Sequence, residues 1–138
     1  MMNTVEGGQE GEARRFDLRL ALIAYVRILS VAFLASGLRR WAIVLGPLAP
    51  GGDFSSFRIE WMVAIGFFAV FELVAAVGLW LTASWGTVVW LIAASTEVAL
   101  HTVFRDTFGF QPYVVAFHGF AILIYAILTF FLERTRED

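Results

Sequence analysis

Four apolar runs, at about 18–37, 60–82, 86–105 and 112–132, follow one another in this chain with little between them. Each holds roughly 20 residues, the length at which a helix crosses a hydrocarbon core of about 30 Å. Helices apolar all round can hide inside a large soluble protein, but four in so short a chain would have nothing to cover them. Composition agrees, with 59% hydrophobic and 16% charged residues and a mean hydropathy of +0.76, where a soluble domain carries about 25% charged residues. The expected fold is all-α: an integral membrane bundle of four transmembrane helices in up-down topology, with the lipid bilayer as its first partner. Short connections at Thr82–Gly86 and Asp106–Pro112 force consecutive spans to lie adjacent and antiparallel.

The organisation follows from where polarity collects. Residues 1–15, rich in Gly and Glu, read as a flexible polar tail; 16–133 form the transmembrane domain; 134–138 form a short charged tail. The opening is no secretory signal, because its apolar stretch is too long and no small-residue cleavage site closes it. The first span is expected to run on through Arg39-Arg40-Trp41 as a tilted or interfacial extension, until Gly46-Pro47 and Pro50-Gly51-Gly52 break it. Arg14, Arg15, Arg19, Arg134 and Arg136 stand at the termini, against Arg39, Arg40, Arg58 and Arg105 on the other side. That small excess points both termini toward the cytoplasm, in a multi-pass protein of the cell's inner (plasma) membrane. Trp41, Trp61, Trp80, Trp85 and Trp90 are expected as interfacial anchors, and Gly66, Gly78 and Gly119 as points of close helix approach.

Several functions are excluded by what is missing. All ten basic residues are Arg and there is no Cys, so this chain carries no thiol catalysis, thiolate metal site, lysine Schiff base or Walker-type lysine. Basic residues do not outnumber acidic ones, which argues against nucleic acid as a partner. No nucleophile elbow, zinc-protease or EF-hand motif is present. Ser95, Thr96 and Thr102 are mid-helix hydroxyls, expected to bond back to their own helix instead of acting as nucleophiles.

What remains is a set of ionisable residues inside the spans: Arg27, Glu72, Glu97, His101 and His118. Each charge costs about 2.5–3.5 kcal/mol at that depth, so each needs a partner or a wet cavity. Glu97, His101 and Arg105 fall at i, i+4 and i+8, one helical face; Gln111, His118 and Tyr125 recur every seven residues on the next span. The expected polar centre is therefore Arg27, Glu72, Glu97, His101, His118 and Arg105, with Arg27 bridging the two carboxylates or one carboxylate holding a proton. Such a centre either pins helix register or forms a proton or small-ligand site with the histidines as relay. His101 and His118 are also a candidate pair of haem ligands. A metal site is not expected, because a di-iron bundle needs Glu-x-x-His pairs and more carboxylates than are present.

With these residues placed, the segments Arg27–Leu38 and Phe71-Glu72-Leu73-Val74-Ala75-Ala76-Val77-Gly78-Leu79 resemble the DoxX-like group of small four-helix membrane proteins. The similar features are an Arg opening an apolar run that ends in Gly and a basic residue, here Arg39 or Arg40, then a Glu-Leu helix, then a His closing the third span, here His101. Ala75 stands where members usually carry Gly, and Arg where they often carry Lys. The resemblance implies a four-helix inner-membrane subunit, in a group associated with quinol oxidation, thiol-linked redox complexes or small-solute traffic. The function expected from sequence is thus a noncatalytic accessory or assembly subunit of a membrane complex, with other membrane subunits or copies of itself as partners and no resident cofactor. The alternative is a small-solute or proton-coupled transporter component using the same centre.

Overall fold

The computed structural model describes residues 2–137, and side chains from Val5 onward. Among these residues every regular element is helical: α1 (Met2–Val44), α2 (Ile59–Trp80), α3 (Ser84–Thr102), the single turn α4 (Arg105–Phe108) and α5 (Pro112–Glu137), with two 3₁₀ turns at Pro50–Gly52 and Phe54–Ser56. Three helices, Val5–Val44, Ile59–Trp80 and Pro112–Glu137, are long and apolar enough to cross a membrane. The remaining long helix, α3, is less apolar because its 19 residues include Ser84, Thr87, Ser95, Thr96, Glu97, His101 and Thr102.

The helix stripes explain the packing. On α1 the inward positions are Val26, Leu29, Ser30, Phe33 and Gly37; on α2 Ile65, Phe68, Ala69, Glu72, Ala75, Ala76 and Leu79; on α3 Trp90, Ala93, Ala94, Glu97 and His101. These recur at three and four residues, the period of one helical face. Alanines at the α2 and α3 positions let backbones approach closely, which is how helices associate where water provides no drive. α1 packs on α2, α2 on α3, α3 on α5 and α5 on α1, so the four long helices form a closed ring around that apolar core. Ser30 Oγ donates to the Ala76 carbonyl at 2.6 Å and Tyr25 Oη to the Ala121 carbonyl at 2.6 Å, tying α1 to α2 and to α5.

Several expectations are corrected here. Residues 2–15, expected as a tail, form the first turns of α1, and their described side chains are exposed. Residues 134–137 likewise continue α5. Once a span has nucleated a helix, adding residues at its end is cheap, and Glu, Gln, Ala and Arg are good helix formers. α3 ends at Thr102, so Arg105 opens a separate turn and does not extend the stripe of Glu97 and His101. Trp90 is no interfacial anchor: it is fully buried, with its ring edge-on to Tyr125 at 5.4 Å. Gly66 and Gly119 face open space, whereas Gly78 lies directly against Gly86 across the α2–α3 turn. Thr96 and Thr102 do bond back to the carbonyls of Ile92 and Val98, each at 2.7 Å. In the loop before α2, Asp53 caps the Phe54–Ser56 turn, accepting from the Ser55 amide at 2.9 Å and its hydroxyl at 2.7 Å.

Candidate functional site

The side chain that organises the interior is Arg40. Its Nε donates to Glu72 Oε2 at 3.0 Å and its Nη2 to Glu97 Oε1 at 2.8 Å, while the guanidinium lies over the Phe68 ring at 4.8 Å. The second oxygen of Glu97 accepts from His118 Nε2–H at 2.8 Å. One guanidinium from α1, carboxylates from α2 and α3 and an imidazole from α5 therefore meet, so each long helix contributes one member. Glu72, Glu97 and His118 are buried, and the Arg40 side chain is 20% exposed. Arg suits this place because its planar fork presents several N–H groups in fixed directions and satisfies two carboxylates at once.

The centre is shallow on three helices and deep on the fourth. Arg40, Glu97 and His118 lie about one and a half turns from the ends of α1, α3 and α5 on the loop side, at roughly 1.5 Å per residue. Glu72 lies 13 residues along α2 from Ile59, because α2 begins farther out on that side.

Of the predicted residues, Glu72, Glu97 and His118 converge as expected. Arg27 does not join them: it is exposed on α1 near the other end of α2, with its guanidinium 5.1 Å from the centre of the Trp80 ring. Arg40, read as an interfacial residue, takes its place. The phase of α1 decides between the two, since at 100° per residue Arg40 falls on the stripe of Ser30, Phe33 and Gly37, while Arg27 is turned a quarter of the circle from Val26. His101 is buried beside the centre, and its Nδ1–H donates to the Gly109 carbonyl at 3.0 Å, which the positive φ of Gly109 (78°) turns toward it. Arg105 is exposed. The two histidines proposed as a haem pair thus each hold a different protein partner. Among the described residues, no three His, Asp or Glu side chains form a metal-ligating group.

Two cavities reach the centre. A cleft of about 480 Å³ between α1 and α5 is lined by Ser36, Glu72, Glu97, Tyr113 and His118 together with apolar residues. A vestibule of about 400 Å³ opens under the loops, where Arg39, Arg40, Glu97, His101, Gln111 and Tyr113 contribute the polar lining. Glu97 and Tyr113 belong to both, so Glu97 stands between the loop face and the side of the bundle. One buried atom in this region lacks a partner: His118 Nδ1.

The sequence matches a family of unknown function (DUF6163) over residues 20–136, and the chain belongs to that family. Among curated proteins and among solved structures, none matches. The matched residues take in α1 from Leu20 onward, the whole of α2 and α3, α5 as far as Arg136, and every residue of the Arg40–Glu72–Glu97–His118 network.

Proposed function

We propose that this member of the DUF6163 family is a noncatalytic, four-span protein of the plasma membrane whose buried network exchanges a proton and holds a small solute, as a component of proton-coupled transport. In this reading α3 is the fourth span, the helices run up-down and both termini face the cytoplasm. The observation that carries it is the position of Glu97, held on one oxygen by Arg40 and on the other by His118, with a cavity on either side. A proton delivered to Glu97 or His118 changes which of these contacts is favourable, and the displaced group is free to meet a solute in the cleft. Intramembrane carboxylates paired with Arg and His beside a cavity are the usual parts of proton and substrate pathways.

The test is proton movement in sealed vesicles with a trapped pH dye, containing the purified chain, under an imposed potential. Wild type is expected to dissipate the potential-driven gradient, and Glu97→Gln to reduce that flux by an order of magnitude or more while keeping helix content. Flux equal to that of empty vesicles, or unchanged by Glu97→Gln and Glu72→Gln, overturns the reading.

A second reading, an accessory subunit, is favoured by α1 itself. Its 43 residues extend about 64 Å, twice what a membrane needs, and the described residues of its first turns, Val5–Asp17, are exposed. A projecting polar helix is a handle for another subunit. Crosslinking from Glu10→Cys in whole cells is expected to capture a discrete partner or a second copy; capture of the lone chain only counts against it.

A further inference from the structure

The polar cleft continues past the carboxylates. Along the seam between α1 and α5 it meets an apolar groove of about 310 Å³, and the two share Ala32 and Phe117. Leu29, Phe120, Ala121 and Ile124 line the groove, and from Ile28 to Ser36 the combined seam runs about 12 Å along α1. Ile28, Phe117 and Phe120 are half or more exposed, so in a membrane the seam faces lipid. It is polar at one end and apolar at the other.

The polar end is incomplete in two respects. Two carboxylates face one guanidinium, so with both carboxylates ionised and the imidazole neutral the four side chains carry one uncompensated negative charge. Because His118 donates through Nε2–H to Glu97, its Nδ1 in the neutral ring is an acceptor, and that atom is buried without a donor in a residue 4% exposed. Buried polar groups are nearly always satisfied, and an unsatisfied one beside a cavity points to something that enters the cavity. A positive charge and a hydrogen-bond donor are both missing, and a primary ammonium group supplies both. An anionic head would meet the carboxylate excess, with Arg40 already paired to both carboxylates, and a neutral head would leave the charge uncompensated.

We infer that the α1–α5 seam binds a single-chain amphiphile with a primary ammonium head, the head among Glu72, Glu97 and His118 and the tail in the groove past Ala32 and Phe117. This rests on the reading of the centre as a solute site and names the class of solute. The tail gains little by leaving lipid for an equally apolar groove, so recognition lies in the head, and the tail brings the ligand to the seam from the side.

The full chain in phosphatidylcholine nanodiscs would be titrated with dodecylammonium, dodecanoate and methylammonium, subtracting binding to empty discs. Saturable binding of dodecylammonium at one per chain is expected, with the other two at least tenfold weaker. Glu72→Gln is expected to weaken dodecylammonium tenfold or more. Ala32→Trp, at an exposed position bordering both parts of the seam, is expected to do the same while leaving helix content and the unfolding temperature in micelles unchanged, which guards against misfolding as the cause. Methylammonium binding as tightly as dodecylammonium overturns the seam as the route. Absent dodecylammonium binding alongside a Glu97-dependent flux overturns the inference and leaves the transport reading standing. Saturable dodecylammonium binding without any flux supports the inference and removes the transport reading.

Discussion

Arg40 holds two carboxylates that no other described arginine reaches, and its worth is best seen by its removal. Arg40→Met leaves Glu72 and Glu97 facing each other out of water, and breaking a buried pair in this way costs about 3–5 kcal/mol. The variant is expected to unfold correspondingly earlier in mixed micelles. Adding Glu72→Gln to Arg40→Met should restore part of that loss, a non-additivity that separates an electrostatic network from simple packing. Purely additive costs would mean that the three groups do not act together. Smaller effects are expected where a side chain bonds to a neighbouring backbone, as Ser30 does to Ala76: Ser30→Ala should cost about 0.6 kcal/mol, typical of hydrogen bonds between helices in lipid. Outside the spans, two bonds from Ser55 hold the Asp53 carboxyl below its ordinary value of 3.8, with a small opposing effect of desolvation. A lowered carboxyl stabilises its turn fully above the unfolded value, and that contribution disappears as pH falls through the lower, folded value. The Ser55 amide resonance should therefore titrate with a midpoint below 3.8, and a midpoint at or above it would contradict the cap. The carboxylates and His118 were legible in the sequence because lipid makes any charge in an apolar run conspicuous. Arg40 is less conspicuous because it lies past the end of the apolar run; its phase relative to Ser30, Phe33 and Gly37 is the signal that finds it.

At the scale of elements, the α2–α3 hairpin is set by glycines more than by its turn. Thr82 adopts a positive φ of 53°, and the Ala83 amide returns to the Gly78 carbonyl at 3.0 Å, which brings Gly78 and Gly86 into backbone contact. A Cβ on either would overlap the other's backbone, which cannot retreat as a flexible side chain can. Gly86→Ala is expected to cost about 1–3 kcal/mol, as overpacking does, and to rotate α3 enough to lengthen the distance between Glu97 and Arg40. Gly66→Ala and Gly119→Ala, with nothing within 4 Å of the added carbon, should be neutral in the same assay. Equal effects at all of these positions would show that the close approach does not decide the hairpin. The existence and order of the long helices could be read from hydropathy alone. Their ends could not, because a helix continues past the lipid wherever its residues tolerate it, as α1 does through Glu6–Arg15, and stops inside an apolar run where a tertiary contact is better, as α3 does before Phe104. Trp90 escaped the anchor rule for a related reason: a large apolar ring fills the space that the small residues Ala75, Ala76, Ala93 and Ala94 leave in the core.

Across the whole molecule the four long helices are not held equally. Within its most apolar stretch α5 has 11% of residues buried, against 44% for α2, and among the described residues its hydrogen bonds and ring contacts to the other helices join His118 to Glu97, Ala121 to Tyr25, Tyr125 to Trp90 and the His118 ring to Phe33. Only the first joins an imidazole to a carboxylate, and it is the one next to the cleft. Regions with few buried contacts open most readily, so the α1–α5 seam is where motion should concentrate. A ligand arriving from lipid has to part these helices, and a change of proton at Glu97 or His118 alters the bond that keeps them together. The absence of cysteine allows paired spin labels to be placed without background. Labels at Ala32→Cys and Phe117→Cys should give a distance distribution clearly broader than labels at Val31→Cys and Val74→Cys, which report the α1–α2 contact. Adding His118→Leu should broaden the first distribution further and leave the second unchanged. Equal widths for the two pairs would mean that the ring is rigid, and the centre would then be reached only through the vestibule under the loops.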